Sequence, residues 1–214
     1  MENSLPLDKT IHLKYTIKVE NKPFYELVSA CLDKVISLVG LVISIPILVI
    51  IALAIKLEDR GPIFYKQERL GKDGKVFWMY KIRSMKIDAE KNGAQWADQG
   101  DRRITSVGRF IRRTRLDEVP QLLNILIGQM SLIGPRPERP ELTLKFYGEH
   151  PEFVNRLIIK PGLTGWAQVN GGYDITSAEK IVFDIYYVKN RSVKLDFRIV
   201  LKTIQVIFSG NGAR

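Results

Sequence analysis

The sequence predicts a mixed α/β protein that is mostly helical and is attached to a membrane. Three observations predict this class: a long apolar segment near the N-terminus, a short hairpin pattern in the polar part of the chain, and an amphipathic pattern near the C-terminus. The 214 residues are enough for one compact domain with attachments. With 45% hydrophobic and 26% charged residues, the composition excludes a disordered chain.

The apolar segment runs from Val35 to Ile55 and contains no charged residue. As a helix it would be about 32 Å long, which is enough to cross the hydrocarbon core of a bilayer. The segment begins too far from the N-terminus, and is too long, for the apolar region of a cleaved signal peptide. It therefore predicts a helix that enters the membrane.

Pro46 lies near the middle of this segment and is predicted to break or kink the helix, because proline removes one backbone hydrogen bond and clashes with the preceding turn. A helix bent there could enter the membrane and return on the same side, whereas a kinked helix could also span it. Lysine and arginine are more frequent after the segment than before it, which places the downstream chain in the cytoplasm. The residues alone leave both topologies open.

The chain divides into four parts on this pattern. Residues 1–27 form an N-terminal arm with weak alternation of apolar residues, and residues 28–57 form the membrane helix. Residues 58–190 form a soluble domain. Residues 191–214 form a C-terminal amphipathic helix and tail.

The soluble domain is predicted to consist of short elements. Residues 63–85 predict a β-hairpin with its turn at 71–74, and the helical spacing of apolar residues predicts helices at 107–111, 119–127 and 141–149.

In the C-terminal segment, apolar residues recur at helical spacing opposite a basic polar face. They are Phe197, Val200, Leu201, Ile204, Ile207 and Phe208. Such a helix packs on a protein core or lies on a membrane surface, and both alternatives stay open here.

The cysteine and histidine content excludes several kinds of site. Cys31 is the only cysteine and the chain has two histidines, so a disulfide framework, a zinc site and a haem site are all excluded. Any metal would have to be a hard cation bound by carboxylates and substrate oxygens. A single cysteine also predicts a reducing compartment, and hence a domain that faces the cytosol.

Basic residues are concentrated in the soluble domain, because residues 60–139 carry a net +8 of the total +10. Six arginines lie within residues 102–115. Nucleic acid, anionic lipid and a phosphorylated substrate are the three candidate partners. Nucleic acid is disfavoured because the arginine run holds only one aromatic residue, Phe110, on which a base could stack.

An acidic pair, Asp117 and Glu118, follows these arginines directly. Pro120 is tolerated only in a first helical turn, so the pair lies at or just before the N-terminus of the 119–127 helix. An ionised aspartate among arginines can act as a nucleophile toward phosphorus, and a neighbouring glutamate can bind Mg²⁺. The alternative is that Asp117 only caps the helix. Arg136, in the stiff loop 134–137, is suited to binding an anion.

Six segments in order along the chain resemble the bacterial sugar transferase family, the monotopic phosphoglycosyl transferases. The likeness extends from about residue 28 to 210 and corresponds to the family's short form. The segments are 67–85, DRRITSVG (101–108), LDE (116–118), MSLIGPRPE (130–138), KPGLTGWAQVNG (160–171) and DIYYV (184–188).

The resemblance implies an activity and an intermediate. Members of this family transfer a sugar-1-phosphate from a UDP-sugar to undecaprenyl phosphate and release UMP, with Mg²⁺ as cofactor. The family's acidic dyad maps onto Asp117, the nucleophile that forms a phosphosugar-enzyme intermediate, and Glu118; both are expected to bind the metal. This reaction is the first membrane step in assembling a bacterial glycan, such as an exopolysaccharide, capsule, O-antigen or glycoprotein.

The resemblance also assigns binding residues. Arg112 and Arg136 match family arginines and are expected to bind phosphate, as are Lys81 and Arg83 at the end of the hairpin. A nucleotide-sugar subsite is expected at a further set of residues in the 160–171 segment, although a structural turn is the alternative there. The set is Trp166, Gln168 and Asn170.

The family is monotopic, so residues 28–57 are expected to form a re-entrant helix in the inner membrane, with the catalytic domain 58–190 facing the cytoplasm. The family's helix breaks at a Ser-Pro pair, whereas this chain has Ile45 before Pro46. Gly172 also departs from the arginine that is frequent in the family, which leaves the donor sugar open.

Other properties stay undecided at this level. An inactive membrane-tethered scaffold for polysaccharide assembly is the alternative function, and a homodimer is one alternative for the oligomeric state. A further alternative is a membrane-tethered module that binds acidic polymer or lipid without catalysis.

Overall fold

In a computed structural model of the protein, the described residues are 10–11, 13–89, 91, 100–171 and 175–209. Gly172, the position that departs from the family pattern, lies outside this range. The helices are α1 (Pro23–Glu58), α2 (Ser106–Arg113), α3 (Gln121–Leu126), α4 (Pro140–Glu149), α5 (Trp166–Asn170), α6 (Ser177–Asn190) and α7 (Val193–Ser209). The strands are β1 (Phe64–Leu70), β2 (Val76–Ile82), β3 (Ser131–Ile133) and β4 (Gly162–Thr164). Short 3₁₀ segments lie at Lys72–Gly74, Leu116–Glu118 and Pro151–Ile158.

Helix α1 is the one helix in the described part of the chain that is long and apolar enough to cross a membrane. Its most apolar window has a mean hydropathy of 3.1, and only 11% of that window is buried within the protein. A core helix of a soluble protein would be mostly buried, so α1 has the character of a membrane anchor. The helix runs through Pro46 without interruption. A break into two separate helices at Pro46 is therefore wrong, whereas a kink there stays a prediction.

The buried residues of α1 form one narrow face along its length, at Asp33, Ser37, Ser44, Ile51 and Ile55. Their spacing of four or seven residues keeps them on the same side of a helix with 3.6 residues per turn. This face packs against the soluble domain, while the remaining surface exposes valine, leucine and isoleucine.

Both halves of α1 contact the same domain. In the N-terminal half, the Asp33 carboxylate accepts a hydrogen bond of 2.9 Å from the backbone N–H of Leu132. In the C-terminal half, Ile51 and Ile55 pack with residues of β2 and α2. At the C-terminal end, the Glu58 carboxylate accepts hydrogen bonds from the first two backbone N–H groups of α2. The domain therefore holds α1 on both sides of Pro46.

The predicted hairpin is confirmed. Strands β1 and β2 pair antiparallel, with Phe64 opposite Ile82 and Leu70 opposite Val76. The turn uses a left-handed backbone at Asp73 (φ 57°) and Gly74 (φ 72°). Aspartate and glycine tolerate this conformation better than most residues, which explains the turn signal in the sequence.

Strands β3 and β4 form a short parallel pair that the sequence pattern did not predict. The pair depends on close backbone contacts at Gly134, Gly162 and Gly165, where a Cβ would meet other backbone atoms. The chain leaving β3 leads into the 134–137 loop, and the chain leaving β4 leads into α5. Because the strands are parallel, the two exits lie at the same edge.

Gly165→Ala is expected to lower the free energy of unfolding by about 1–3 kcal/mol or more, because the new Cβ would lie 2.0 Å from the carbonyl oxygen of Gly134. Gly148→Ala in α4 is the matched control, since no atom lies within 4 Å of its Cβ and alanine favours a helix. Thermal unfolding in detergent measures both. Equal midpoints for the two variants would contradict the close packing of β3 on β4.

The N-terminal arm is extended from residue 13 to 20, with alternate side chains partly buried, as the alternation predicted. Ile17 and Val19 pack on a core cluster formed by α6 and α7. Thr16 and Asn155 exchange two hydrogen bonds of 2.8 and 2.7 Å. These contacts hold the described part of the arm on the domain, together with an isolated antiparallel bridge between Thr10 and Lys75 and a 3.0 Å hydrogen bond from the Ile11 N–H to the Gly74 carbonyl.

Helix α7 packs on the core through Leu195 and Ile199, which are buried. Most of the predicted apolar residues instead lie on the surface: Phe197, Val200, Leu201, Ile204 and Ile207 are exposed. Helix α7 thus combines a core contact with an exposed apolar face.

Candidate active site

The acidic pair lies in the 3₁₀ segment Leu116–Glu118, between α2 and α3. The prediction that it lies just before a helix is confirmed, since Pro120 is the N-cap residue of α3. Arg115 directly precedes the segment. Its own backbone is left-handed, with φ 57° and ψ 17°. This conformation costs a non-glycine residue about 1–3 kcal/mol and is typical of sites where the chain must place side chains for function.

Glu118 is fixed by two cations. Arg136 donates a hydrogen bond to Glu118 Oε1, and Lys81 Nζ of β2 lies 3.5 Å from the same oxygen. Burial alone would raise the pKa of Glu118, but Arg136 and Lys81 lower it to about 2. Glu118 is therefore ionised at all physiological pH values.

Asp117 differs from its neighbour because no hydrogen bond or ion pair holds its carboxylate within the described part of the chain. Its side chain is almost fully buried, with 8% of the residue exposed. Burial raises the pKa of Asp117, and Lys81 opposes this shift. The carboxylate is thus poorly solvated and has free lone pairs, which are the properties of a reactive oxygen nucleophile.

Arg112 lies beside the pair, in the last turn of α2. Its Nε donates a 2.8 Å hydrogen bond to Ser84 Oγ, and its charge lowers the pKa of Asp117. Helix α2 approaches Ser84 so closely that a Cβ at Gly108 would lie 1.9 Å from the Ser84 carbonyl oxygen. Only glycine, which has no Cβ, permits this approach. The placement agrees with the predicted phosphate-binding role of Arg112.

Arg83 has a different environment from the one expected of a phosphate ligand. Its guanidinium donates to the Asp59 carboxylate at 2.9 Å and to the Asp59 carbonyl at 2.7 Å. The residue is buried. The structure therefore places Arg83 in a contact between the hairpin and the end of α1, where it holds the anchor on the domain.

Two further arginines donate hydrogen bonds to backbone carbonyl groups of the loop that carries Arg136 and hold it in place. Arg69 of β1 donates to the carbonyl of Pro137 at 3.1 Å, and Arg156 donates to the carbonyl of Arg136 at 2.6 Å. Glu138 balances this charge, and Lys180, Arg156 and Arg69 overcome the effect of its burial to hold its pKa at about 2.

Cations surround the acidic pair. Two carboxylates, Asp117 and Glu118, face four cations whose charges lower their pKa values. The four are Lys81, Arg112, Arg115 and Arg136. Because arginine guanidinium groups match phosphate oxygens, this positively charged environment is suited to an anionic ligand such as a phosphate group.

The predicted nucleotide-sugar residues lie on α5. The Trp166 ring stacks on Tyr186 with centroids 5.8 Å apart, and the Lys202 ammonium lies 5.1 Å from its centre. Asn170 donates to the Trp166 carbonyl and accepts from Lys202, while Gln168 donates to the Leu163 carbonyl. These side chains are largely engaged within the protein, which favours the structural alternative for Trp166 and Asn170. Since β3 and β4 end at the same edge, α5 still begins next to the loop of Arg136.

The acidic pair is suited to Mg²⁺. No group of three metal-ligating residues occurs among the described residues. Mg²⁺ is nevertheless usually bound by one or two carboxylates with substrate phosphates. Both cations contact Oε1 of Glu118 and none of the described hydrogen bonds uses Oε2. That oxygen and the Asp117 carboxylate are therefore the donors that fit the ion.

Sequence reasoning missed the role of four residues behind the Arg136 loop: Arg69, Glu138, Arg156 and Lys180. Their contacts join positions as far apart as 69 and 138, and no local pattern encodes such pairs. Arg156 is a charged residue within a largely apolar stretch of the sequence, and this is the one signal that could have identified it.

Comparisons with known proteins give one consistent result. The sequence model of a family described as bacterial sugar transferase matches residues 24–210. The chain is 44% identical over 195 residues to a UDP-N-acetylgalactosamine-undecaprenyl-phosphate N-acetylgalactosaminephosphotransferase of Aeromonas hydrophila, covering 90% of this chain and 46% of the relative.

Two further relatives have similar descriptions. A putative undecaprenyl-phosphate N-acetylgalactosaminyl 1-phosphate transferase of Bacillus subtilis is 54% identical over 133 residues, covering 62% of this chain and 74% of the relative. A UDP-glucose:undecaprenyl-phosphate glucose-1-phosphate transferase of Escherichia coli is 40% identical over 177 residues, covering 80% of this chain and 38% of the relative. The chain thus spans less than half the length of the Aeromonas and Escherichia proteins.

Proposed function

The chain belongs to the bacterial sugar transferase family, and on this premise we propose that it transfers a sugar-1-phosphate from a UDP-sugar to undecaprenyl phosphate and releases UMP. The observation that carries the proposal is the buried carboxylate of Asp117, which lies among cations beside the ionised Glu118 and makes no hydrogen bond with the described residues. The descriptions of the relatives support the same lipid carrier.

The proposed reaction has two displacement steps at one phosphorus. In the first, an oxygen of the Asp117 carboxylate attacks the β-phosphorus of the UDP-sugar; the bond from that phosphorus to the bridging oxygen breaks, and UMP leaves with that oxygen. In the second, a phosphate oxygen of undecaprenyl phosphate attacks the same phosphorus, and the carboxylate of Asp117 is released.

The neighbouring residues contribute electrostatic stabilisation. Arg136, Lys81 and Arg112 would neutralise the charge that develops on the phosphoryl oxygens, which is the main source of acceleration in phosphoryl transfer. Asp117 and Glu118 Oε2 would hold Mg²⁺, which supplies further charge neutralisation on the pyrophosphate when bound. Lys81 and Arg136 keep Glu118 oriented, since both contact its carboxylate.

The proposal is tested by measuring UMP release from protein in nanodiscs with Mg²⁺, undecaprenyl phosphate and a panel of UDP-sugars. We expect lipid-dependent UMP release with at least one donor. The donor that reacts identifies the sugar. No release across the panel from folded protein would contradict the proposal and favour the membrane-tethered scaffold.

We further propose that α1 is re-entrant in the cytoplasmic membrane and that the domain faces the cytoplasm. The support is that both halves of α1 contact one domain, from Asp33 to Glu58. A spanning helix would carry its N-terminal half away from a domain on the other side. The exposed apolar residues of α7 would lie in the interface beside it.

Cysteine labelling distinguishes the two topologies. In a Cys31→Ser background, Glu20→Cys places a thiol just before α1, where the native side chain is 77% exposed. We expect a membrane-impermeant maleimide to label it in inverted vesicles and not in spheroplasts. Glu149→Cys on the domain is the control for the cytoplasmic side. Labelling of the residue-20 thiol from the opposite side to the control would mean that α1 spans the membrane.

A further inference from the structure

Five charged side chains form a largely buried cluster that contacts the 134–137 loop. They come from β1, from the chain after the loop, from the 3₁₀ segment Pro151–Ile158 and from α6. The five are Arg69, Glu138, Arg156, Lys180 and Asp184. Arg156 is 3% exposed and Asp184 is 1% exposed.

Stability alone does not account for the cluster, because removing charges from water is costly and a buried ion pair is often no more stabilising than apolar residues of the same volume. Burial raises the pKa of Asp184, which shows that its charge is held there at a cost. A specific geometry that the charges maintain is the better explanation.

That geometry is the backbone of the Arg136 loop. Three successive carbonyl groups are bound: Arg136 by the guanidinium of Arg156 at 2.6 Å, Pro137 by Arg69 at 3.1 Å, and Glu138 by the backbone N–H of Leu70 at 2.9 Å. Proline fixes φ but has no N–H to donate, so the prolines that flank Arg136 supply no hydrogen bonds from their nitrogens. The contacts to the three carbonyl groups supply hydrogen bonds that hold the loop on its neighbours.

Arg156 links this loop to α6. Its Nη2 atom donates to the Arg136 carbonyl and also lies 2.8 Å from Asp184 Oδ2. The Asp184 side chain therefore determines where the guanidinium of Arg156 can lie. A capping box between Thr176 and Glu179 stabilises the N-terminus of α6, the helix that carries Asp184.

We propose that Asp184 and Arg156 are positioning residues for the Arg136 guanidinium. Asp184 orients Arg156, Arg156 fixes the backbone of Arg136, and the fixed backbone directs the Arg136 side chain to Glu118 and the phosphate site. This inference rests on the proposed function only in that Arg136 binds a substrate phosphate. Neither Asp184 nor Arg156 touches the substrate.

A double-mutant cycle tests the inference. Asp184→Asn keeps the shape of the side chain and removes its charge, so we expect kcat/KM for UMP release to fall by about 10²-fold, the loss typical of a misplaced binding group. In an Arg136→Ala background the same change should cost less than about 3-fold, because nothing is left to position. An equal loss in both backgrounds would mean a general structural role and would overturn the proposal.

Two further variants make the result decisive. Arg156→Lys keeps the charge but not the planar fork, and it serves if the Asp184 variant does not fold; its loss should also disappear in the Arg136→Ala background. Lys189→Gln, at an exposed position of α6, removes a charge and should leave the rate unchanged. Unfolding midpoints in detergent identify any variant that is not folded.

A binding measurement separates this inference from the proposed function. Titration calorimetry with inorganic pyrophosphate reports on the anion site without turnover. We expect Asp184→Asn to weaken pyrophosphate binding in the wild-type background and to have no further effect in Arg136→Ala. If the wild type released no UMP, the proposed function would fail, yet the pyrophosphate cycle would still decide the positioning role.

Discussion

Asp117→Asn is expected to reduce UMP release by about 10⁴-fold or more, because it removes the oxygen nucleophile on which both displacement steps depend. The replacement has the same shape, so substrate binding should persist. Wild-type protein incubated with donor and without undecaprenyl phosphate should release one UMP per site and gain the mass of a sugar phosphate. The variant should do neither.

The same variant should unfold at an equal or higher temperature. Burial raises the pKa of Asp117 in the folded protein above its ordinary value, so ionisation costs more in the folded state than in the unfolded state. The native state therefore loses stability as the pH rises through that raised pKa, and a neutral side chain removes the loss. Nucleophiles are often placed at such a cost in stability.

Asp73→Asn is the matched control, because it makes the same chemical change at an exposed turn where asparagine also tolerates a positive φ. Its activity should equal that of the wild type. Retention of more than about a tenth of wild-type activity by the Asp117 variant would contradict a covalent mechanism at this residue.

Arg136→Ala is expected to lower kcat/KM for UMP release by about 10²–10³-fold, as removal of one preorganised donor to a developing charge typically does. Arg136→Lys should recover only part of this loss, because lysine lacks the planar pair of donors that matches phosphate oxygens. The pKa of Glu118 should rise from about 2, since Arg136 makes the largest contribution to lowering it.

Steady-state kinetics with the identified donor measure this effect. Arg60→Ala, which removes a charge from an exposed position after α1, is the control and should stay within about 2-fold of the wild type. A similar loss in both variants would indicate a general dependence on positive charge. It would remove the specific role assigned to Arg136.

The parts that could be predicted from the sequence are those encoded locally. The hairpin follows from alternation and a turn with Asp73 and Gly74, and the position of the acidic pair follows from Pro120 three residues later. The parts that could not be predicted depend on contacts between distant segments. Arg83 illustrates this: its motif marks it as a site residue, but only the fold shows that its guanidinium is hydrogen-bonded to Asp59.

The pairing of β3 with β4 and the cluster around Glu138 were missed for the same reason. Each strand has three residues, which is too short for a period to be recognised. No local pattern shows that Arg69 and Arg156 act on the same loop, because only the fold brings both guanidinium groups to its carbonyls.

The contacts of α1 have a consequence for biosynthesis. In α1, Asp33 accepts a hydrogen bond from the Leu132 N–H, and two isoleucines pack in an apolar cluster of the domain. Glu58, at the end of α1, accepts a hydrogen bond from the first N–H group of α2. Helix α1 also leaves the ribosome before the rest of the domain. The anchor should therefore enter the lipid first and serve as the template on which the later segments fold, so a shortened chain that begins at residue 59 should aggregate rather than yield a soluble enzyme.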